Sequence, residues 1–116
     1  MTSLPPIDLQ VDIQEAGGCV FVSVDGSVGV TEADVLRSRL EPVARSAAPI
    51  IAVDLSKMDF ISSPGLSVLL KLAQRARTWD GQVKLVSPRP IIRDLLNRTR
   101  LTEIFPICET REDAIQ

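Results

Sequence analysis

Alternating apolar and polar side chains open the folded part of the chain and predict a β-hairpin. Apolar residues recur at every second position over 9–13, which is the period of a strand with one buried face. Gly17 and Gly18 supply a tight turn, and residues 19–24 continue the alternation as the second arm. Residues 1–7 contain two adjacent prolines and are expected to form a short extended lead-in.

Helical spacing of apolar residues appears in three later segments, and a cap followed by acidic residues marks the start of a fourth helix. The first predicts a helix over about residues 31–46, with Thr31 as its N-cap and acidic residues in its first turn. Pro42 lies inside this segment, and we expect a kink or an early break there because proline lacks the amide donor of a helical residue. The other helices are predicted from Pro64 to about Trp79, after Pro90, and after Thr110.

Short apolar runs separate the predicted helices and complete the fold prediction. Residues 50–55 are apolar almost without interruption, which is typical of a central strand buried on both faces. Residues 82–87 and 105–108 predict two further strands. Because strands that alternate with helices are joined by crossovers, most of the sheet should be parallel. We predict an α/β fold: a mixed, mostly parallel sheet of about five strands, with an N-terminal antiparallel hairpin strand and a cover of about four helices.

Composition indicates the number of domains, the classes of partner and the location to expect. A chain of 116 residues forms one hydrophobic core, so we expect a single domain over 1–116. A net charge of -2 offers no general attraction to nucleic acid or to anionic lipid. No apolar stretch approaches the roughly 20 residues that cross a bilayer, and no basic and apolar leader opens the chain. We expect a cytoplasmic protein whose partners are neither nucleic acid nor membrane.

Most residue types that carry catalysis are missing or isolated. The sequence has no histidine and no phosphate-binding glycine loop, which removes the commonest general base and metal ligand. Cys19 and Cys108 stand in apolar runs and are expected to be small core residues. Asp54 and Asp59 flank the end of the central strand, and an enzyme that accepts a phosphoryl group or binds metal there is one alternative. We predict that the protein is not an enzyme and has no cofactor or metal.

Two adjacent serines stand where the central strand gives way to the second helix. Ser63 followed by Pro64 fits an N-cap followed by proline at the first helical position, so one interpretation makes Ser63 a helix cap. The other interpretation is regulatory. A phosphate on Ser63 would add about two negative charges at the helix N-terminus, which the domain tolerates and a docked partner does not. Ser62 is the alternative acceptor.

Three segments of the chain resemble the STAS domain of bacterial anti-sigma factor antagonists. They are residues 53–66 (VDLSKMDFISSPGL), 79–86 (WDGQVKLV) and 91–101 (IIRDLLNRTRL). The resemblance covers nearly the whole chain and implies the STAS fold. It also implies partner switching, in which the unphosphorylated protein binds a serine kinase of the histidine-kinase-like ATPase type and thereby releases a sigma factor or another target. Phosphorylation by that kinase ends the binding, and a PPM-type serine phosphatase reverses it.

Matched position by position, the resemblance places the phosphoacceptor on Ser63. Ser62 stands where the family usually has aspartate, and Pro64 replaces a second hydroxyl residue. The segment at 26–31 resembles a Gly-Glu-Leu-Asp loop of the family but lacks its acids. The implied partner-binding surface consists of Gly26, Ser27, Val28, Thr31, Asp59, Ile61, Ser62, Ser63, Gly65, Leu66 and Ser67.

Two expectations complete this assignment. We expect a monomer or a weak dimer. Within the same fold, the alternative function is a constitutive scaffold of the stressosome-like or lipid-transport-associated kind, in which Ser63 is only a helix cap.

Overall fold

A computed structural model describes residues 9–115 and shows a six-stranded sheet with four α-helices. The strands are β1 Leu9–Ala16, β2 Cys19–Val28, β3 Ile50–Asp54, β4 Met58–Ile61, β5 Gln82–Val86 and β6 Ile107–Cys108. The helices are α1 Val30–Arg45, α2 Ser63–Arg77, α3 Pro90–Arg98 and α4 Arg111–Ala114, with a 3-10 turn at Leu101–Glu103. The lead-in expected at 1–7 lies outside the described residues.

The sheet confirms the predicted mixed topology and adds one strand. Strands β1 and β2 form the antiparallel hairpin, and the order continues through β3, β5 and β6 with parallel pairing. The additional strand is β4, which pairs in parallel with the far end of β2. Its four residues alternate poorly, because both ends are buried and both middle residues are exposed. The strand forms because β2, with ten residues, extends beyond β3 and offers an unpaired edge.

Helix α1 differs from its prediction at both ends. It begins at Val30, and its N-cap is Gly29 rather than Thr31. The carboxylate of Glu32 accepts a hydrogen bond from the Gly29 N–H at 3.0 Å, which fixes this start. Pro42 does not break the helix, because burial of the neighbouring Leu40, Val43 and Ala44 in the core offsets the one hydrogen bond that the proline cannot donate. The Pro42 carbonyl still accepts from the Ser46 N–H at 3.0 Å.

Hydrophobic side chains cover the two faces of the sheet unequally. The larger core lies between the sheet and helices α1, α2 and α3, and its members include Val22, Leu36, Leu40, Ile51, Val53, Leu69, Leu72, Leu85, Ile92, Leu96 and Phe105. The smaller cluster joins Cys19, Ala52 and Val86 to Ala114 of α4 on the opposite face. Cys19 is only 4% exposed, which confirms it as a core residue, and its burial raises the pKa of its thiol. Cys108 is half-buried beside the same cluster.

The outer edge of the hairpin receives a contact from α1. Among residues 9–115, strand β1 pairs only with β2, and no described strand lies on its other edge. The Arg39 guanidinium of α1 donates to the Val11 carbonyl on this strand at 2.6 Å.

No helix among residues 9–115 combines the length and the apolar character needed to cross a bilayer.

Candidate functional site

The two serines hold different positions at the start of α2. Ser62 is the N-cap, with extended backbone, and its Oγ accepts a hydrogen bond from the Gly65 N–H at 3.2 Å. Ser63 is the first helical residue and Pro64 the second. The interpretation of Ser63 as the cap is therefore wrong. Proline is tolerated throughout the first turn, whose amides have no partner within the helix, so Pro64 does not fix the cap at the residue before it.

The Ser63 hydroxyl is available for reaction. Its residue is exposed, and Oγ makes no hydrogen bond to any other described residue. Ser62 is tied to the sheet instead, because its N–H donates to the Val28 carbonyl at 2.8 Å and extends the ladder between β2 and β4 by one bond. The cap thus holds the helix start in place, and the neighbouring hydroxyl projects from a fixed backbone.

Exposed side chains from four elements lie on and around the start of α2, and we call them the serine surface. It consists of Ser27 on β2, Asp59 and Phe60 on β4, Val30 and Thr31 on α1, and Ser63, Pro64 and Ser67 on α2. Ser27 pairs with Phe60 in the sheet, and Val30 lines one groove with Pro64 and Ser67. Two apolar side chains of this surface are largely exposed, Val30 at 70% and Phe60 at 53%.

Sequence reasoning missed Val30 and Phe60 and included residues that face inward. Val28 and Ile61 are buried in the core, and Gly65 is buried between them, so these three support the surface from below. Leu66 is half-buried and packs against the same core. Val30 comes two positions after buried Val28, so continued strand alternation would place it on the inner face. It is exposed because α1 begins at this residue. The role of the exposed members in partner binding stays a prediction.

Gly65 allows α2 to approach the sheet closely enough to place Ser63. A Cβ atom at this position would lie 2.7 Å from Ile61 Cγ1 and 2.8 Å from Val28 Cγ1. Both contacts are shorter than carbon atoms tolerate, and both neighbours are buried. The glycine of the motif is therefore a packing requirement at the junction of β2, β4 and α2.

The two aspartates of the enzyme alternative are held by different arginines. Asp54 accepts from the Ser56 N–H at 2.9 Å and pairs with Arg111 of α4 at 3.2 Å. Asp59 pairs with Arg89, whose Nε also donates to the Ser56 carbonyl at 2.9 Å. The carboxylates thus shape the turn between β3 and β4. Among residues 9–115, no three His, Cys, Asp or Glu side chains are grouped so that they could hold a metal ion.

Arg111 connects α4 to the sheet through three contacts. Besides its pair with Asp54, it donates to the Ser23 hydroxyl at 2.6 Å and lies over the Phe21 ring, with 5.6 Å to the centroid. Burial raises the pKa of Asp54, but the hydrogen bonds from Ser56 and the contact with Arg111 outweigh it and hold the pKa below its ordinary value of 3.8. Arg111 and Asp54 are therefore placed to stabilise the fold above that pH.

We expect the Asp54→Asn variant to unfold more easily than the wild type at neutral pH, with a difference that disappears in acid. A carboxyl group whose pKa is lowered by folding stabilises the folded state fully above its unfolded pKa of 3.8. That contribution is lost as pH falls through the lowered pKa. Urea unfolding of both proteins at neutral pH and at a series of lower values, down to about pH 2, measures this effect. Asp80→Asn, which removes an exposed carboxylate away from this pair, is the control, and an Asp54→Asn difference that persists in acid would contradict the assignment.

The comparison with known proteins decides the family. A model of the STAS domain matches residues 10–114 of the chain. The chain belongs to the STAS domain family. The resemblance drawn from the three sequence segments is therefore confirmed, and so is the fold that it implies. This STAS domain is 26% identical over 110 residues to the anti-sigma-B factor antagonist of Bacillus subtilis, covering 95% of this chain and 100% of that protein.

Solved structures agree with this assignment. An anti-sigma factor antagonist from Mycobacterium paratuberculosis matches with a TM-score of 0.86 and 26% identity, over 96% of this chain and 94% of that one. The Bacillus cell fate determinant SpoIIAA, solved in its phosphorylated form, matches with a TM-score of 0.72 over 91% of this chain and 96% of its own. At 18% identity the SpoIIAA match shows a shared fold.

Proposed function

We propose that this STAS domain is an anti-sigma factor antagonist that works by partner switching, with Ser63 as the residue that is phosphorylated. The observation that carries the proposal is the division of labour between the two serines. Ser62 caps α2, so the exposed Ser63 hydroxyl has no structural duty among the described residues. Relatives over nearly the full chain are named anti-sigma factor antagonists, which supports the same role.

The position of Ser63 explains how a phosphate acts as a switch without refolding. At the first helical residue the charge lies at the positive end of the helix dipole, which stabilises an anion. The same phosphate adds about two negative charges between the exposed apolar side chains of Val30, Phe60 and Pro64. A partner packed on those side chains loses its apolar contact and meets an unpaired charge, while the domain itself keeps its fold.

The partners follow from the family resemblance. The unphosphorylated domain binds a serine kinase of the histidine-kinase-like ATPase type, which then releases its sigma factor or other target. A PPM-type serine phosphatase removes the phosphate and restores binding. We expect these proteins to meet in the cytoplasm, and we expect the domain to serve as substrate and binding partner with no catalysis of its own.

We expect Ser63→Asp to weaken binding to the cognate kinase at least tenfold, relative to both wild type and Ser63→Asn. Asp and Asn have the same shape, so the comparison isolates the charge, and an unpaired charge in an apolar contact costs more than about 1.4 kcal/mol. Acidic residues are favourable in the first turn of a helix, so Ser63→Asp should not lose stability. Titration calorimetry with the kinase and urea unfolding supply the two measurements.

The same experiment separates the proposal from its alternatives. Equal kinase affinity of the Asp and Asn variants would remove the charge switch at Ser63. A constitutive scaffold would show neither phosphate transfer from the kinase nor any response to the charge. An enzyme centred on Asp54 and Asp59 would lose its activity in Asp54→Asn and be indifferent to Ser63→Asn.

A further inference from the structure

A groove between α1 and α2 begins beside Ser63 and runs along both helices. Its volume is about 440 Å³. The lining residues fall into an apolar set, Val30, Ala33, Leu40, Ala44, Pro64, Val68 and Leu72, and a polar set, Asp34, Arg37, Glu41, Ser67, Lys71 and Arg75. The groove extends along α1 from Val30 to Ala44, which at a helical rise of about 1.5 Å per residue is roughly 20 Å.

The floor of the groove is apolar and its walls are charged. Buried Ala33 and Ala44 have small side chains, which leave room between the two helices above Leu40 and Leu72. An amphipathic helix could place its apolar face on the apolar floor and its polar side chains beside the charged walls. A groove of this length matches about four turns of such a helix.

The charges on the walls leave one cation in excess. Arg37 pairs with Asp34 at 2.7 Å, and Arg75 pairs with Glu41 at 3.1 Å. Lys71 is exposed and forms no ion pair with any of the residues from 9 to 115. The groove therefore carries three cations against two anions, although the whole chain has a net charge of -2.

We infer that this groove is a second part of the kinase-binding surface, and that it takes an amphipathic helix of the kinase with acidic side chains directed at Lys71. The inference rests on the proposed function. Continuity supports it, because Val30, Pro64 and Ser67 belong to both the serine surface and the groove. A kinase that reaches the Ser63 hydroxyl therefore also covers the mouth of the groove. The excess positive charge selects an acidic helix over a basic one.

Contacts in the groove contribute binding free energy that does not depend on whether Ser63 is phosphorylated. Ser63 controls whether the partner stays bound, while Lys71 and the apolar floor determine which kinase binds. Two related domains with the same serine motif can therefore prefer different kinases through different residues at positions such as 34 and 71.

The test is the affinity of the unphosphorylated domain for its kinase, measured by titration calorimetry for charge variants along the groove. Lys71→Glu should weaken binding roughly three- to tenfold and should reduce its dependence on salt. Asp34→Asn should strengthen binding about twofold, because it removes an anion and frees Arg37. Arg77→Glu changes the same charge on α2 outside the groove and should leave affinity unchanged.

The gain in Asp34→Asn keeps the test independent of folding defects, since an unfolded variant cannot bind more tightly. If the wild type binds the kinase and is phosphorylated, but Lys71→Glu and Asp34→Asn both match it, the groove is not part of the interface and the role of Ser63 stands. If the wild type neither binds nor is phosphorylated, the proposed function fails and this inference with it. Self-association that Lys71→Glu abolishes, with kinase affinity unchanged, would assign the groove to a second copy of the chain.

Discussion

Replacing Ser63 by alanine should abolish phosphate incorporation by the cognate kinase and leave the free energy of unfolding within about 0.5 kcal/mol of wild type. The substitution removes the Ser63 hydroxyl, which is the proposed phosphate acceptor at the first residue of α2. This exposed hydroxyl forms no hydrogen bond with the rest of the described chain. Intact-protein mass and site mapping after incubation with kinase and ATP measure the phosphate. Urea unfolding measures stability.

Ser62→Ala is the matched control, because it should show the opposite behaviour. It keeps the Ser63 hydroxyl but removes the acceptor of the Gly65 N–H, and loss of a serine cap costs about 1 kcal/mol. This variant should therefore still accept phosphate while unfolding more easily. Labelling that persists in Ser63→Ala and disappears in Ser62→Ala would transfer the modification to Ser62 and contradict our assignment.

Replacing Gly65 by alanine should lower the free energy of unfolding by about 1–3 kcal/mol, the usual cost of an extra carbon atom in a packed core. The added Cβ would lie under 3 Å from side-chain carbons of both Ile61 and Val28, and neither side chain has room to move. Relief requires the start of α2 to shift away from the sheet. Ser63 is the first residue of α2 and would shift with it, so the rate of phosphorylation should fall together with the free energy of unfolding. A kinase assay measures the rate, and urea unfolding measures the stability.

Two further variants identify the cause of this loss. Gly29→Ala also adds a Cβ at a helix start, but there the close neighbour is the flexible end of Glu32, which can turn away and lose only its hydrogen bond to the Gly29 N–H, so the cost should be smaller. In the double variant of Gly65→Ala with Val28→Ala, one of the two clashing atoms is gone. The two substitutions should therefore cost less together than the sum of their separate effects. Simple additivity would show that the Val28 contact does not cause the loss.

The periodic elements of the fold could be predicted from sequence because their patterns are local. Helical spacing located α1 and α2 within two residues at each end, and the strands that alternate with them determined the mixed sheet. Strand β4 escaped prediction because nothing in its four residues alternates, and its existence depends on the overhang of β2, which is distant in sequence. The effect of Pro42 was predicted wrongly because it depends on how firmly its neighbours pack in the core, which the local pattern does not show.

The candidate site shows the same division between local and distant information. The motif identified the correct pair of serines, but the roles of the two depend on the residue at which α2 begins. That residue is determined by the hydrogen bond between Ser62 and Val28, which joins parts of the chain 34 positions apart. Exposure of Phe60 likewise follows from its place on β4. Sequence alone therefore indicates where the site lies, and tertiary packing determines which side chains can meet a partner.

The contact of Arg39 with the edge strand bears on how the domain behaves at high concentration. An open strand edge is a template on which another chain can add a strand and begin to aggregate. Here the guanidinium occupies the Val11 carbonyl of β1, so an incoming strand has to displace a charged, well-bound group before it can pair. Strand addition at this edge is thereby disfavoured. The contact therefore protects this part of the β1 edge against pairing with another chain.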